Sequence, residues 1–248
     1  MIILKSKQEI EKIRNAGKIV KEVGRHLEQI AKPGITTKHL EETAHEMIIK
    51  RKAKPAFLGY QGFPGSICTS INCEVVHGIP SAQRILKHGD ILKVDIGVFL
   101  DGYCADAALT IPIGQISAPI ERLVAVTKKA LEIGIAKAKP PNRLFDISQA
   151  IQFHAQCYGY SVVRDYTGHG IGRDMHEAPQ VPNFGEAGKG PRLKPGMVLC
   201  IEPMINMGGY EIDILNDGWT VITKDKSFSA HFEHTIVITE GEPEILTK

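Results

Sequence analysis

The sequence predicts an α+β protein built from two related halves, with helices laid over a mainly antiparallel sheet. Three observations carry this. The stretch from Leu86 to Asp95 (LKHGDILKVD) matches the stretch from Leu193 to Glu202 (LKPGMVLCIE) at an offset of 107 residues, and the same offset relates Lys32-Pro33 to Lys139-Pro140. A fixed offset over that length marks a structural repeat. Each Lys-Pro pair closes one helical pattern and precedes another. The segment from Ile91 to Thr110 has strand character on both sides of a turn, which favours hairpins over a doubly wound parallel sheet. One domain over residues 1–248 is expected, with halves of approximately 1–115 and 116–248.

The elements follow in order. Ser6 and Glu9 have the spacing of a capping box. From there Ile10, Ile13, Ala16, Val20, Val23, Leu27 and Ile30 recur every three or four residues, until Lys32-Pro33-Gly34 stops the helix. A second helix begins at Thr36 or Thr37, with Leu40, Ala44, Met47 and Ile48 inward. A Pro- and Gly-rich loop spans 55–65, followed by strands near 66–71 and 74–77. The second half repeats the pattern with helices near 119–137, presenting Leu123, Val126, Ala130 and Leu131, and near 146–157, presenting Ile147, Ile151 and Ala155. The basic cluster Lys50, Arg51, Lys52 and Lys54 reads first as a solvated helix end favoured by the helix dipole, with a weak electrostatic contact to a large anionic partner as the alternative.

Composition narrows the function classes. Hydrophobic content of 43% and charged content of 23% over 248 residues are ordinary for a globular protein. A formal charge of +2 gives no signal for specific nucleic-acid binding. No apolar run is long enough to span a bilayer, and the first residues carry charge too early for a secretory leader. The five cysteines are scattered and never CxxC, so a reducing compartment, the cytoplasm, is expected.

The chemistry begins in the hairpin. A turn centred on Leu100-Asp101 places Asp95 directly across from Asp106, with Cβ atoms roughly 4.5–5.5 Å apart. A turn at Asp101-Gly102 slips that register. Two carboxylates so placed require either a shared proton or a cation, and a divalent ion suits hard oxygen donors. His169 lies between Gly168 and Gly170, which let the backbone turn closely around a ligand, and His176 follows in the same loop. These glycines lack the lysine and spacing of a phosphate cradle. Glu202 ends the strand MVLCIE, and Pro203 blocks its ladder. Read as one strand, SAHFEHTIVIT puts His231, Glu233 and Thr235 on a common face. Asp95, Asp106, His169, Glu202 and Glu233 are too acidic together for a single zinc and suit two divalent ions. Such paired sites are known in phosphatases, nucleases and aminopeptidases alike. His77 is a candidate outer-sphere histidine. Cys68 lacks a thiol-protease context and reads as a pocket or core thiol.

Taken together, GSICTSIN (65–72), VVHGIP (75–80), VDIG (94–97), GHGIG (168–172), KPGMVLCIEP (194–203) and FEHT (232–235) resemble the type I methionine aminopeptidases of bacteria, over nearly the whole chain. That family is similar to creatinase and the proline dipeptidases and has their pita-bread α+β fold, with two pseudo-twofold halves. The resemblance implies Asp95, Asp106, His169, Glu202 and Glu233 as metal ligands, with Asp106 and Glu233 bridging. It implies that His77 and His176 touch substrate, and that Tyr60, Phe63, Cys68 and Trp219 wall the methionine pocket. Met175 stands where many relatives carry an aromatic, while His231 and Phe232 replace a commoner Gln and a commoner Trp or Tyr. The implied activity is removal of N-terminal methionine before a small second residue, by attack of a metal-activated hydroxide. Glu202 would shuttle the proton and His176 would stabilise the developing charge. Two ions of Mn, Fe or Co are implied, with Zn possible. The implied partners are nascent polypeptide N-termini, with a transient ribosome contact, and the enzyme is expected to be a monomer. The alternatives are a related dipeptidase or Xaa-Pro aminopeptidase, and a non-catalytic binding protein on the same fold.

Overall fold

Ser6 caps α1 (Lys7–Ile30) through a complete capping box, its hydroxyl accepting from Glu9 N while the Glu9 carboxylate accepts from Ser6 N. In this computed structural model, which describes residues 1–248, α2 (Thr37–Lys50) is likewise capped by Thr36, which accepts from His39 N. There follow β1 (Lys54–Pro55), one 3₁₀ turn at Tyr60–Gly62, β2 (Cys68–Ile71), β3 (Ile91–Leu100) and β4 (Tyr103–Pro112). The second half holds α3 (Ala118–Lys137), α4 (Leu144–Cys157), β5 (Ser161–Val162), β6 (Gly168–Gly170), β7 (Glu177–Val181), β8 (Val198–Ile201) and β9 (Met204–Asn206). The chain ends with β10 (Ile212–Ile214), β11 (Val221–Thr223), β12 (Ser229–His231), β13 (His234–Val237) and β14 (Glu244–Ile245).

The repeat is legible residue by residue. Shifting α2 by 107 positions gives both ends of α4, and shifting β1 gives β5. The ladder pairs Lys54↔Phe99 and Pro55↔Val98 recur as Ser161↔Asn206 and Val162↔Ile205. The isolated bridge Thr36↔Ile85 recurs as Arg143↔Arg192. Every strand pair is antiparallel. β3 carries β4 on one edge and both β1 and β2 on the other, while the larger second-half sheet runs β14-β13-β8-β6-β7 and a smaller one runs β12-β9-β5. Each half buries its helices against its sheet: Ile13, Val20, Leu27, Leu40 and Ile48 pack with Val94 and Ile96 in one core, and Leu123, Leu131, Ile147 and Ile151 pack with Leu199 and Ile236 in the other. This burial drives the fold, at about 25 cal/mol per Å² of apolar surface.

Three expectations are corrected. The hairpin turn is Asp101-Gly102, not Leu100-Asp101. Both central residues take left-handed φ (50° and 78°), which Asp-Gly tolerates and a leucine resists. Asp106 therefore faces Gly97, and Asp95 faces Ala108. Moving the turn by one residue shifts the pairing by two, so both aspartates stay on the same face as diagonal neighbours. Second, Ser229–Thr239 is not one strand. It breaks at Phe232-Glu233 into β12 and β13, and Glu233 N donates out of register to Ala108 O at 2.9 Å. Third, residues 74–77 form no strand beyond a single bridge from Glu74 to Ile222. Asn72 and His77 at φ 53° and 59° bend the chain there.

The first residues form a strap. Lys5 N donates to Gly196 O at 2.7 Å, and Lys5 Nζ donates to Glu177 Oε2 at 2.5 Å, with the two side chains only 3% and 9% exposed. Removing one partner of a buried pair leaves an uncompensated charge. Lys5→Met is therefore expected to destabilise the protein by about 3–5 kcal/mol, and adding Glu177→Gln should recover part of it. Urea unfolding of both variants checks this; a loss below about 1 kcal/mol, as for a surface pair, would contradict the reading.

Candidate metal centre

Four elements deliver the acidic side chains to one place. β3 and β4 carry Asp95 and Asp106 on their shared face. Glu202 follows β8, where Pro203 ends the ladder, and Glu233 sits in the break between β12 and β13. His169 lies at the centre of β6, between β8 and β7. Its two glycines serve strand packing, not a turn around a ligand: a Cβ at Gly168 would stand 2.3 Å from Cys200 O, and one at Gly170 would stand 2.4 Å from Ala178 O. His169 Nδ1 donates to Gly170 O at 2.9 Å, which fixes the tautomer and leaves Nε2 as a free lone pair. Nε2 lies 3.7 Å from Glu202 Oε1.

One donor atom each from Asp106, His169, Cys200 and Glu233 falls within 4.8 Å of the others. Asp95 is the diagonal neighbour of Asp106 on the same face of the hairpin. Asp95 Oδ1, Asp106 Oδ1 and Glu233 Oε1 are buried without any hydrogen-bond partner. Without a cation this set is unfavourable. Burial pushes Asp95 up to about 7, and burial with mutual repulsion pushes Asp106, Glu202 and Glu233 well above the usual carboxylate range. Burial also holds His169 neutral, its pKa lowered to about 3. Orphaned carboxyl oxygens around a neutral imidazole match the donor chemistry of a divalent metal ion, so the residues fit one.

The same side chains line a cavity of about 380 Å³, which also takes in Tyr60, Phe63, Cys68, His77, His176 and Trp219. Phe63 meets Trp219 edge-on at 5.2 Å, and His77 meets Tyr166 at 5.2 Å and Trp219 at 6.4 Å. Burial keeps His77 neutral, with its pKa lowered to about 4. His176 reaches the exposed rim, its ring 4.3 Å from that of His169, and its Nδ1 lies 2.7 Å from the Tyr60 hydroxyl. Tyr60 is thus both a wall of the cavity and the partner of His176, a link that sequence spacing does not show. Met175 closes the wall, with its Sδ 3.3 Å from Cys104 Sγ. Cys200 is the member of this close group that sequence reading missed. It looks like a core residue of a buried strand, and its repeat counterpart is Lys93, so neither copy signals a ligand. A larger cavity of about 580 Å³ lies behind the sheet between α1 and α3. Its rim sets Lys21, Arg25 and Lys128 beside Glu28 and Glu132, and it holds no comparable converging donor set.

These shifts set a pH dependence for the metal-free protein. The carboxylates hold protons in the folded state that the unfolded chain releases above about pH 4, so their contribution to stability falls as pH rises past about 4. Below about 6.5 the unfolded chain protonates histidines that the fold keeps neutral, His169 and His231 among them, an effect of opposite slope that offsets the carboxylates over the acidic range. Above about 6.5 only the carboxylate effect remains, so stability is expected to fall as pH rises from there, with saturating Mn²⁺ flattening this alkaline limb. Urea unfolding across pH 5–9 with and without metal checks this, and an alkaline limb unaffected by Mn²⁺ contradicts it.

The chain matches the sequence family described as metallopeptidase family M24 over residues 11–240. It is 53% identical over 247 residues to a methionine aminopeptidase of Clostridium acetobutylicum, covering 100% of this chain and 99% of that one. The crystal structure of methionine aminopeptidase from Thermotoga maritima superposes with a TM-score of 0.99 at 45% identity, covering all of both chains. A prolidase from Pyrococcus horikoshii superposes with a TM-score of 0.80 at 24% identity, over 64% of its own length, a likeness of fold alone.

Proposed function

Because the chain belongs to metallopeptidase family M24, and its fold is the pita-bread α+β fold, we propose that it is a single catalytic domain that removes N-terminal methionine from polypeptides whose second residue is small. The observation that carries this reading is the convergence of five candidate ligands and an apolar pocket on one cavity, in a chain similar along its whole length to an enzyme of that activity. Asp95, Asp106, His169, Glu202 and Glu233 would hold two divalent ions, with Asp106 and Glu233 shared between them. Mn, Fe and Co are the favoured ions and Zn a further candidate. When bound, such ions supply Lewis acidity and lower the pKa of water.

The chain's own residues supply the rest. The methionine side chain enters between Tyr60, Phe63, Cys68 and Trp219, a pocket suited to an unbranched thioether. Tyr60 holds the His176 ring by its Nδ1, so that the other nitrogen faces substrate. His176 donates to the scissile carbonyl oxygen as negative charge develops there. Neutral His77 contacts substrate on the opposite wall. Glu202 takes a proton from the attacking water and passes it to the leaving amine. The acidic cluster favours a free α-amine over a blocked one.

No helix is long and apolar enough to cross a membrane. We place the enzyme in the cytoplasm as a monomer acting on nascent chains, with a transient contact at the ribosome. The test is substrate profiling of the metal-loaded enzyme. Met-Ala-Ser is expected to be cleaved at least about a hundredfold better than Met-Leu-Ser, about 2.7 kcal/mol of discrimination. N-acetyl-Met-Ala-Ser should resist. Preference for Xaa-Pro peptides would replace this reading with that of a proline-specific relative.

A further inference from the structure

The two halves impose a second correspondence, which points to a residue outside the five-ligand set. Thr235 Oγ1 donates to Asp106 O at 2.7 Å and accepts from Asp106 N at 3.0 Å. Thr110 Oγ1 donates to His231 O at 2.7 Å and accepts from His231 N at 3.0 Å. Each threonine clamps the backbone of one residue in the opposite half, with the same geometry. The ladders agree. Asp106 faces Gly97, His231 faces Met204, and Gly97 and Met204 are related by the 107-residue offset. His231 is therefore the pseudo-twofold counterpart of Asp106.

The His231 side chain has the properties of a donor awaiting an acceptor. It is 1% exposed, and neither ring nitrogen has a hydrogen-bond partner. Leaving such a group unsatisfied costs about 1–3 kcal/mol, and buried polar groups are rarely left so. Its Nε2 lies 3.7 Å from Glu202 Oε2, while His169 Nε2 lies 3.7 Å from Glu202 Oε1. One carboxylate is thus flanked by two imidazoles at equal distance, one on each oxygen. Two donors about 2.1 Å from a common ion stand roughly 3.0–3.6 Å apart at bond angles between 90° and 120°, so both spacings lie at the wide end of shared coordination.

We propose that His231 is a further side-chain ligand of the metal centre, its Nε2 coordinating an ion held by Glu202. This rests on the metal centre proposed above and adds to it a nitrogen donor from the second half. A second imidazole would raise affinity for borderline ions such as Co²⁺ and Zn²⁺ relative to Mn²⁺, because imidazole suits them better than it suits the harder ion.

The test uses the full chain, stripped of metal and titrated with Co²⁺, read by calorimetry and by the visible absorption bands of the bound ion. The variants are His231→Gln, His231→Ala and, as a reference for a lost imidazole, His169→Ala; circular dichroism confirms folding. His231→Gln keeps a hydrogen-bonding side chain of similar size, so it remains informative where the alanine variant fails to fold. Weakening of Co²⁺ binding by about tenfold or more is expected, with absorption bands displaced from wild type as in His169→Ala. Wild-type affinity and bands in His231→Gln would overturn the proposal, leaving His231 outside the coordination shell. Failure of the wild-type chain to take up Co²⁺ would instead overturn the metal centre itself.

Discussion

Asp106→Ala and Glu233→Ala are each expected to lose bound metal and to lower kcat/KM by about a thousandfold or more, equivalent to about 4 kcal/mol of transition-state stabilisation. Both side chains belong to the donor group that falls within 4.8 Å, and both are almost completely buried. Each has a carboxylate oxygen with no protein partner, so deleting it removes a donor and frees no other group to replace it. The sign of the accompanying stability change separates this from general damage. Metal-free Asp106→Ala should be less sensitive than metal-free wild type to a rise in pH above about 6.5, because one of the mutually repelling carboxylates is gone. Calorimetric metal titration and pH-resolved unfolding check the two halves of the prediction. Wild-type metal content in either variant would remove that residue from the ligand set.

His176→Ala is expected to behave differently, keeping both ions while losing about 10²–10³ in kcat, the size of effect seen when one donor to a developing oxyanion is removed. His176 stands at the rim, and its ring touches the centre only through His169. Tyr60→Phe, which removes the 2.7 Å contact to Nδ1, should lower kcat in the same direction by a smaller factor and leave metal content unchanged. Loss of metal in His176→Ala would place the imidazole inside the coordination shell and contradict the division of roles.

How far these residues could be found without coordinates depends on the kind of signal each left. The helices declared themselves locally. The Ser6–Glu9 box and the Thr36 cap sit where the apolar spacing begins, and the repeat carries α2 onto α4. The hairpin declared its two aspartates but not their register, because Leu100-Asp101 and Asp101-Gly102 both read as turns and only the second satisfies left-handed φ at both positions. The break at Phe232-Glu233 left no Gly or Pro in its own segment to mark it. Its cause lies on the partner chain segment, where Pro203 separates β8 from β9. Ile201↔His234 and Met204↔His231 flank the gap on the two sides. Tertiary pairing overrode a local pattern there, and the exception freed both Glu202 and Glu233 from regular ladders. Cys200, Glu177 and the Tyr60–His176 contact left no sequence signal, because each depends on segments distant along the chain.

The division of the donors has a consequence for how long the folded chain survives. Asp95 and Asp106 belong to one half, and His169, Glu202 and Glu233 to the other, so a bound ion would act as a rivet through the seam. Parting the halves would require its release. An ion at a hundred times its dissociation constant adds about 2.7 kcal/mol to the free energy of opening. That is enough to lower the open fraction by about a hundredfold. Chains starved of metal would therefore be the ones whose seams open to proteases, and the cell's stock of this protein would follow its supply of the ion.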